Sequence, residues 1–239
     1  AAGGRLVGKT NLHELAFGGS GVNPWTGTPV NPLDPSRIPG GSSSGSAVAV
    51  ATGEAAVALG TDTAGSVRIP SACCGTVGLK TTYGRIPVEG VLPLAPSLDT
   101  VGPMAATVAG VVAGMALLEP GFEPAVTVDG PVGRVRLAGA HPEIEAAVDE
   151  ALAVSGLEVR PCSLPGWEPA ALAGTAVLFG EAARIHRVLF AEHGELLGDE
   201  TRDRLERGRA ITDTELEEAR STAGRWRLEL AAALDRTPL

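Results

Sequence analysis

The chain has 239 residues, 44% of them apolar, which is enough to bury a large core and too hydrophobic for an unfolded segment. A net charge of −9 and an aromatic content of 3% argue against a nucleic-acid backbone as the main partner and leave little for stacking on bases. No apolar run reaches membrane-spanning length and no signal peptide is legible, while Cys73, Cys74 and Cys162 show neither metal spacing nor a disulfide framework and suit a reducing cytoplasm.

Arg5-Leu6-Val7-Gly8-Lys9 reads as a short strand, and a brief helix follows from Asn11 with Glu14 as its capping-box partner. Residues 18–40 form a loop rich in Gly, Pro and Asn; loops of that length in compact domains usually carry function. Within it, Asn23, Trp25 and Thr28 are candidates to line a pocket. Residues 44–53 are small and apolar, as a helix packed tightly on a sheet requires. Ala56-Val57-Ala58-Leu59-Gly60 reads as a buried strand. A helical turn starts near Ser66, and Val77-Gly78-Leu79 is a further short strand. Residues 107–118 read as an apolar helix, and 119–132 as a connector containing Asp129-Gly130-Pro131. A β-α-β pattern follows. Its first strand is Arg134-Val135-Arg136-Leu137-Ala138. Its helix opens at Pro142, with Glu143 and Glu145 in the first turn and Ile144, Val148 and Leu152 on one stripe. Its second strand is Leu157-Glu158-Val159. Residues 168–236 read as helices, the last capped by Thr212-Asp213-Thr214-Glu215.

Two serine-bearing segments carry the chemistry. The second of them, Gly60-Thr61-Asp62-Thr63-Ala64-Gly65-Ser66-Val67-Arg68-Ile69-Pro70, runs from a buried strand into a helix start. Small residues there let backbone N–H groups approach a bound group, and a helix start offers unpaired donors. That is a natural oxyanion hole with a nucleophile at its rim. Taken alone, the same residues also read as an ordinary turn between strand and helix.

Together with Gly40-Gly41-Ser42-Ser43-Ser44-Gly45-Ser46, the segment closely resembles the amidase signature family of serine amidases, which includes fatty-acid amide hydrolase, malonamidase and the A subunit of glutamyl-tRNA amidotransferase. The likeness begins at Gly8-Lys9-Thr10-Asn11 and His13-Glu14. It continues through Cys74-Gly75 and Val77-Gly78-Leu79-Lys80-Thr81-Thr82-Tyr83-Gly84-Arg85 to Ser97-Leu98-Asp99-Thr100-Val101-Gly102-Pro103, covering residues 4–118. The resemblance implies an α/β fold, a mixed β-sheet core flanked by helices on both faces, with a more helical second half. It divides the chain into a signature core, 1–118, and a remainder of the same domain, 119–239.

The resemblance also assigns roles. Ser66 matches the nucleophile and Ser42 the bridging serine, with a cis peptide bond between Gly41 and Ser42. The N–H groups of Thr63, Ala64, Gly65 and Ser66 match the oxyanion loop, Asp62 and Arg68 a charged pair that braces it, and Thr61 a supporting hydroxyl. The implied activity is hydrolysis of a carboxamide C–N bond in a small-molecule substrate through a Ser-cisSer-Lys relay and an acyl-enzyme on Ser66. It releases a carboxylate and ammonia or an amine, with no metal and no cofactor. A serine hydroxyl attacks only when a neighbour takes its proton, and a lysine serves only if burial lowers its pKa from ~10.4. The chain has two lysines, Lys9 and Lys80, and neither matches the family's catalytic position, which falls before residue 1. The chain therefore reads as a fragment, lacking the lysine segment and the C-terminal part. Two alternatives remain: an A-subunit-like component of a tRNA amidotransferase, and an inactive truncated amidase. A homodimer through the charged C-terminal helices is a further expectation.

Two rivals fail on their surroundings. Gly41-Ser42-Ser43-Ser44-Gly45 fits Gly-x-Ser-x-Gly with Ser43 as nucleophile, but that elbow needs a strand before it, and the preceding Asn31-Pro32-Leu33-Asp34-Pro35 cannot be a central strand. A phosphate loop would need a Lys after its last Gly.

Overall fold

The computed structural model describes residues 3–125 and 130–237, so Asp129 of the expected connector lies outside the described residues. The chain forms two compact units, one built from Ala1–Pro124 and Ala176–Thr212, the other from Ala125–Thr175 and Asp213–Leu239.

The first unit is organised by a strand that the sequence pattern does not announce. Strand β1 (Ala58–Thr61) and strand β2 (Val77–Gly78) both pair antiparallel with β3 (Val101–Ala105), giving the order β1-β3-β2. All five residues of β3 are buried. Gly102 and Pro103 hid it, since both are poor strand formers. Pro103 is tolerated in the middle strand for a geometric reason. Its carbonyl accepts from the Leu79 N–H at 3.1 Å, just beyond the last ladder pair of β2. In an antiparallel strand a residue's N–H and C=O point to the same side, so its missing donor falls where the β2 ladder ends.

Alternation along β3 sends side chains to two helical layers. Met104 is fully buried against Ala47 and Val50 of helix α1 (Ser44–Ala51) and against Val67 and Cys74. Cys74 closes helix α2 (Arg68–Cys74). Pro103 and Ala105 face helix α3 (Val108–Leu118), where a Cβ on Gly114 would come within 2.5 Å of the Pro103 Cβ; glycine is what lets this helix lie so close. Thr107 caps α3, its side chain accepting from the Gly110 N–H at 3.1 Å. Helices thus cover both faces, as the resemblance implies.

Two N-terminal expectations are corrected. Residues 5–9 form no strand. They are exposed and have no ladder partner among the described residues, and a strand exists only through a neighbour's N–H and C=O groups. The helix expected from Asn11 shrinks to one 3₁₀ turn, Glu14–Ala16. Its capping residues are drawn elsewhere: the Asn11 amide donates to the Gly27 carbonyl at 2.6 Å, and the Glu14 carboxylate accepts from Trp25 Nε1 at 2.8 Å and from the Gly198 N–H at 3.1 Å. The 18–40 loop is irregular throughout. It is anchored by Asn23, whose side chain donates to the Leu12 carbonyl at 2.8 Å.

In the second unit, β4 (Val132–Val135) and β5 (Val159–Cys162) pair in parallel across helix α4 (Pro142–Ser155), the expected β-α-β. Both strands are displaced by two or three residues from the positions expected, and Pro161 inside β5 obscured its extent. Arg134 and Arg136 each bond both Glu145 and Asp149, which ties β4 to α4. The rest of the chain is helical: α5 (Trp167–Ile185), α6 (Arg187–His193), α7 (Asp199–Arg209) and α8 (Asp213–Arg236). No helix among the described residues is long and apolar enough to cross a membrane.

Truncating Met104 leaves a cavity between β3 and α1. Met104→Ala is expected to cost about 2–5 kcal/mol, read as a lower urea midpoint with an unchanged slope.

Candidate active site

The site is built around Asp62, the first residue after β1. Its carboxylate is completely buried and both of its oxygens are occupied. Oδ1 accepts from the Gly65 N–H at 2.7 Å and from Arg68 Nη2 at 3.0 Å; Oδ2 accepts from Arg68 Nε at 2.9 Å and the Val67 N–H at 3.2 Å. The Lys80 ammonium stands 3.4 Å from Oδ1. Burial alone would push this acid up. The hydrogen bonds from Arg68, with the charges of Lys80 and Arg68, outweigh that and bring it down to about 2. Lys80 is itself pushed below the usual lysine range by burial, against the pull of Asp62.

These bonds fold residues 62–68 into a tight arch. Gly65 sits at φ +131°, a conformation that L side chains rarely adopt, and its carbonyl opens the next helical turn by accepting from the Ile69 N–H at 2.7 Å. The Gly65 N–H is engaged by Asp62, whereas the N–H groups of Thr63, Ala64 and Ser66 have no hydrogen-bond partner among the described residues. A second carboxylate anchors the other side. Asp99 accepts from Thr63 Oγ1 at 2.6 Å and from the N–H groups of Leu94 and Ala95 at 2.9 and 3.1 Å.

The two serine segments meet here. The Gly41–Ser42 peptide bond is cis. The Ser42 carbonyl accepts from the N–H of His13 at 3.0 Å and of Ser44 at 2.9 Å, and the Ser43 N–H donates to the Ser66 carbonyl at 3.1 Å. The backbone of Gly41 lies so close to residues 18–21 that a Cβ would meet the Gly21 nitrogen at 2.6 Å. Ser42 Oγ is buried and has no hydrogen-bond partner among the described residues. Ser42 and Thr61 line a groove of about 300 Å³ whose walls also include Thr10, Ser46 and Val101. Ser66 is half-buried and does not line that groove, nor do Asn23, Trp25 and Thr28. Ser43, the rival nucleophile, follows no strand and donates to the Thr61 carbonyl at 3.4 Å. His13 is buried on Ser20, Nδ1 to Oγ 3.3 Å, and burial pushes its pKa down. Among the described residues no group of His, Cys, Asp and Glu is placed to hold a metal.

A family model described as Amidase matches residues 1–120. The chain belongs to the amidase family. It is 47% identical over 184 residues to 2-amino-5-chloromuconic acid deaminase of Comamonas testosteroni, covering 70% of this chain and 39% of that protein. It is 40% identical over 244 residues to the A subunit of glutamyl-tRNA(Gln) amidotransferase from Thermus thermophilus, covering 90% and 51%. A crystal structure of an amidase superposes with a TM-score of 0.88 at 41% identity, covering 95% of this chain and 54% of that one. The chain thus spans about half the length of the relatives it matches.

Within this amidase fold, three residues around the loop are not marked out by the sequence. Asp99 and Thr100 stand in a family motif without a role of their own, and Lys80 fails to match the family's base. The available signal was scarcity, since Lys80 is one of only two lysines in the chain.

Asp62 also predicts an acid limb. Its folded pKa lies below the ordinary 3.8, so the stability it contributes is complete above about pH 3.8 and lost as pH falls towards about 2. The amount is on the order of 2 kcal/mol. Urea unfolding of Asp62→Asn should show a less stable protein near neutrality and a flatter pH dependence between about pH 4 and about pH 2 than wild type.

Proposed function

We propose that this chain is the core of a serine amidase acting on a small-molecule carboxamide. Ser66 Oγ attacks the carbonyl carbon, and the N–H groups of Thr63, Ala64 and Ser66 receive the oxygen as it becomes negative, with Gly65 as the bend that turns them inward. Such donors contribute about 3 kcal/mol each to the transition state. The Ser66 proton passes to Ser42 and on to a base. As the C–N bond breaks, the same path returns a proton to the departing nitrogen. Water then attacks the acyl ester, giving a carboxylate and restoring the Ser66 hydroxyl. The sequence of steps needs no cofactor. The free cysteines accord with a cytoplasmic setting.

One observation carries this reading. A buried hydroxyl with no partner among the described residues, Ser42 Oγ, sits in the segment whose next residue bonds the backbone of Ser66. A hydroxyl that both gives and takes a proton is what a relay requires. Neither lysine of the chain supplies the base: Lys80 is held by Asp62 and Thr100, and Lys9 lines a different groove that contains neither serine. The reading therefore takes the base from a group other than these two lysines.

A second reading has support in the relatives named as amidotransferase A subunits. In it the same site would release ammonia from glutamine within a larger assembly. Glutaminase activity that emerges only with partner subunits would favour it; hydrolysis of free amides by the protein alone would favour the simple amidase.

The test uses the full-length protein. Ser66→Ala should form no acyl-enzyme by mass spectrometry after quenching, whereas Ser42→Ala should slow acylation about 10²–10⁴-fold with folding intact. Turnover by Ser66→Ala at the wild-type rate would refute the assignment.

A further inference from the structure

Lys80 reaches a backbone atom of Asp62 as well as its carboxylate. Its ammonium donates to the carbonyl oxygen of Asp62 and, at 3.1 Å, to Thr100 Oγ1. The Thr100 hydroxyl in turn donates to the same Asp62 carbonyl at 2.8 Å. Both lone pairs of that oxygen are therefore met, one by a cation and one by a hydroxyl that the cation polarises. The Asp62 N–H is fixed too, donating to the Thr100 carbonyl at 2.8 Å.

The Asp62 carbonyl shares a peptide plane with the Thr63 N–H. In a trans peptide the two groups are coplanar and point in opposite directions. Whatever grips the carbonyl oxygen therefore aims the N–H on the far side of the bond. The Thr63 side chain is pinned independently by Asp99, so the plane cannot turn by swinging about its following residue. A cation on the carbonyl also draws electron density along the amide and makes its N–H a stronger donor, as in any polarised hydrogen-bond chain.

We infer that Lys80, with Thr100, is a positioning residue of the amidase reaction: through the 62–63 peptide it aims and strengthens the Thr63 N–H as an oxyanion donor. This rests on the amidase reading above. It separates Lys80 from the proton relay, since its ammonium acts as a fixed charge and never gives up a proton. It also gives the Gly-Leu-Lys and Leu-Asp-Thr stretches one shared task, the two strands' ends closing on a single peptide group from β2 and β3.

The test needs no knowledge of the natural amide. An alkyl fluorophosphonate reacts with an activated serine as the oxygen–phosphorus bond forms, fluoride leaves and the hydroxyl proton goes to the base; its phosphoryl oxygen occupies the oxyanion position. In the full-length protein, Lys80→Met and Thr100→Val should lower the maximal rate of Ser66 labelling by about 10–100-fold, no more than outright loss of one oxyanion donor costs, with the half-saturating probe concentration unchanged. Thr100→Ser, which keeps the hydroxyl, should label at the wild-type rate. A boronic acid, which forms a tetrahedral adduct, should bind Lys80→Met more weakly by the same factor as the labelling rate falls. A merely structural lysine would instead lower the urea midpoint and leave the labelling rate of the folded fraction unchanged, and that result overturns the inference. Should Lys80→Met fail to fold, Thr100→Val against Thr100→Ser decides alone. A wild-type protein that takes no label at Ser66 overturns the amidase reading and this one with it; a labelled wild type matched by Lys80→Met and Thr100→Val overturns only the positioning role.

Discussion

A carboxylate taken wholly out of water must have its charge and its lone pairs met by the protein, and Asp62 imposes that requirement on everything around it. The donors it recruits are the ones that shape the loop. By taking the Gly65 and Val67 N–H groups it bends the chain through the left-handed turn at Gly65. By holding Arg68 it starts α2 immediately afterwards. The arch is thus the shape that satisfies one buried acid. The acid stays ionised because two cations face it, and the same ionisation makes its hydrogen bonds strong.

The arch is only as well placed as the strand that supports it. Asp62 and Thr63 leave β1 alongside Asp99 and Thr100 as they enter β3, so the antiparallel register of Thr61 with Val101 delivers both acids to one place. From there the two carboxylates divide the labour. Asp62 holds the far limb of the loop by its backbone, and Asp99 holds the near limb through the Thr63 hydroxyl. The core beneath has no slack to pass on: Met104 and the α1 alanines fill one face of β3, and glycines bring α3 against the other. A shift of β3 by one residue would exchange those faces and separate the two acids.

This division explains what the sequence disclosed and what it concealed. The serine segments, the helices and the β-α-β of the second unit were legible because each is a local matter of small residues, caps and period. The strand β3 was not, because Gly102 and Pro103 argue against it locally and only the placement of Leu79 makes the proline harmless. The strand expected at 5–9 failed for the converse reason: its residues favour extension, but a ladder depends on a neighbour that no local pattern reveals. Glu14 shows the same limit, since a carboxylate three residues after Asn11 looks like a cap until Trp25 and Gly198, far along the chain, claim it. Lys80 and Thr100 could be read as motif members but not as a pair, because what joins them is a backbone oxygen on a third segment.

Against so thorough a satisfaction of polar groups, Ser42 stands apart. A buried hydroxyl without a partner costs about 1–3 kcal/mol, and an alanine at that position would remove the cost while keeping the backbone bonds of the Ser42 carbonyl. Stability therefore does not account for the serine. Ser44 and Ser71 also carry hydroxyls without a partner among the described residues, but neither lines the groove that Ser42 opens onto. Where a protein supplies bonds freely to its acids and withholds them from one hydroxyl at the rim of a groove, that exception is the observation on which the proposed relay rests. An oxygen left without a fixed partner is free to accept a proton from one side and release it to the other. The neighbouring Ser43 hydroxyl, by contrast, has the Thr61 carbonyl within 3.4 Å to donate to.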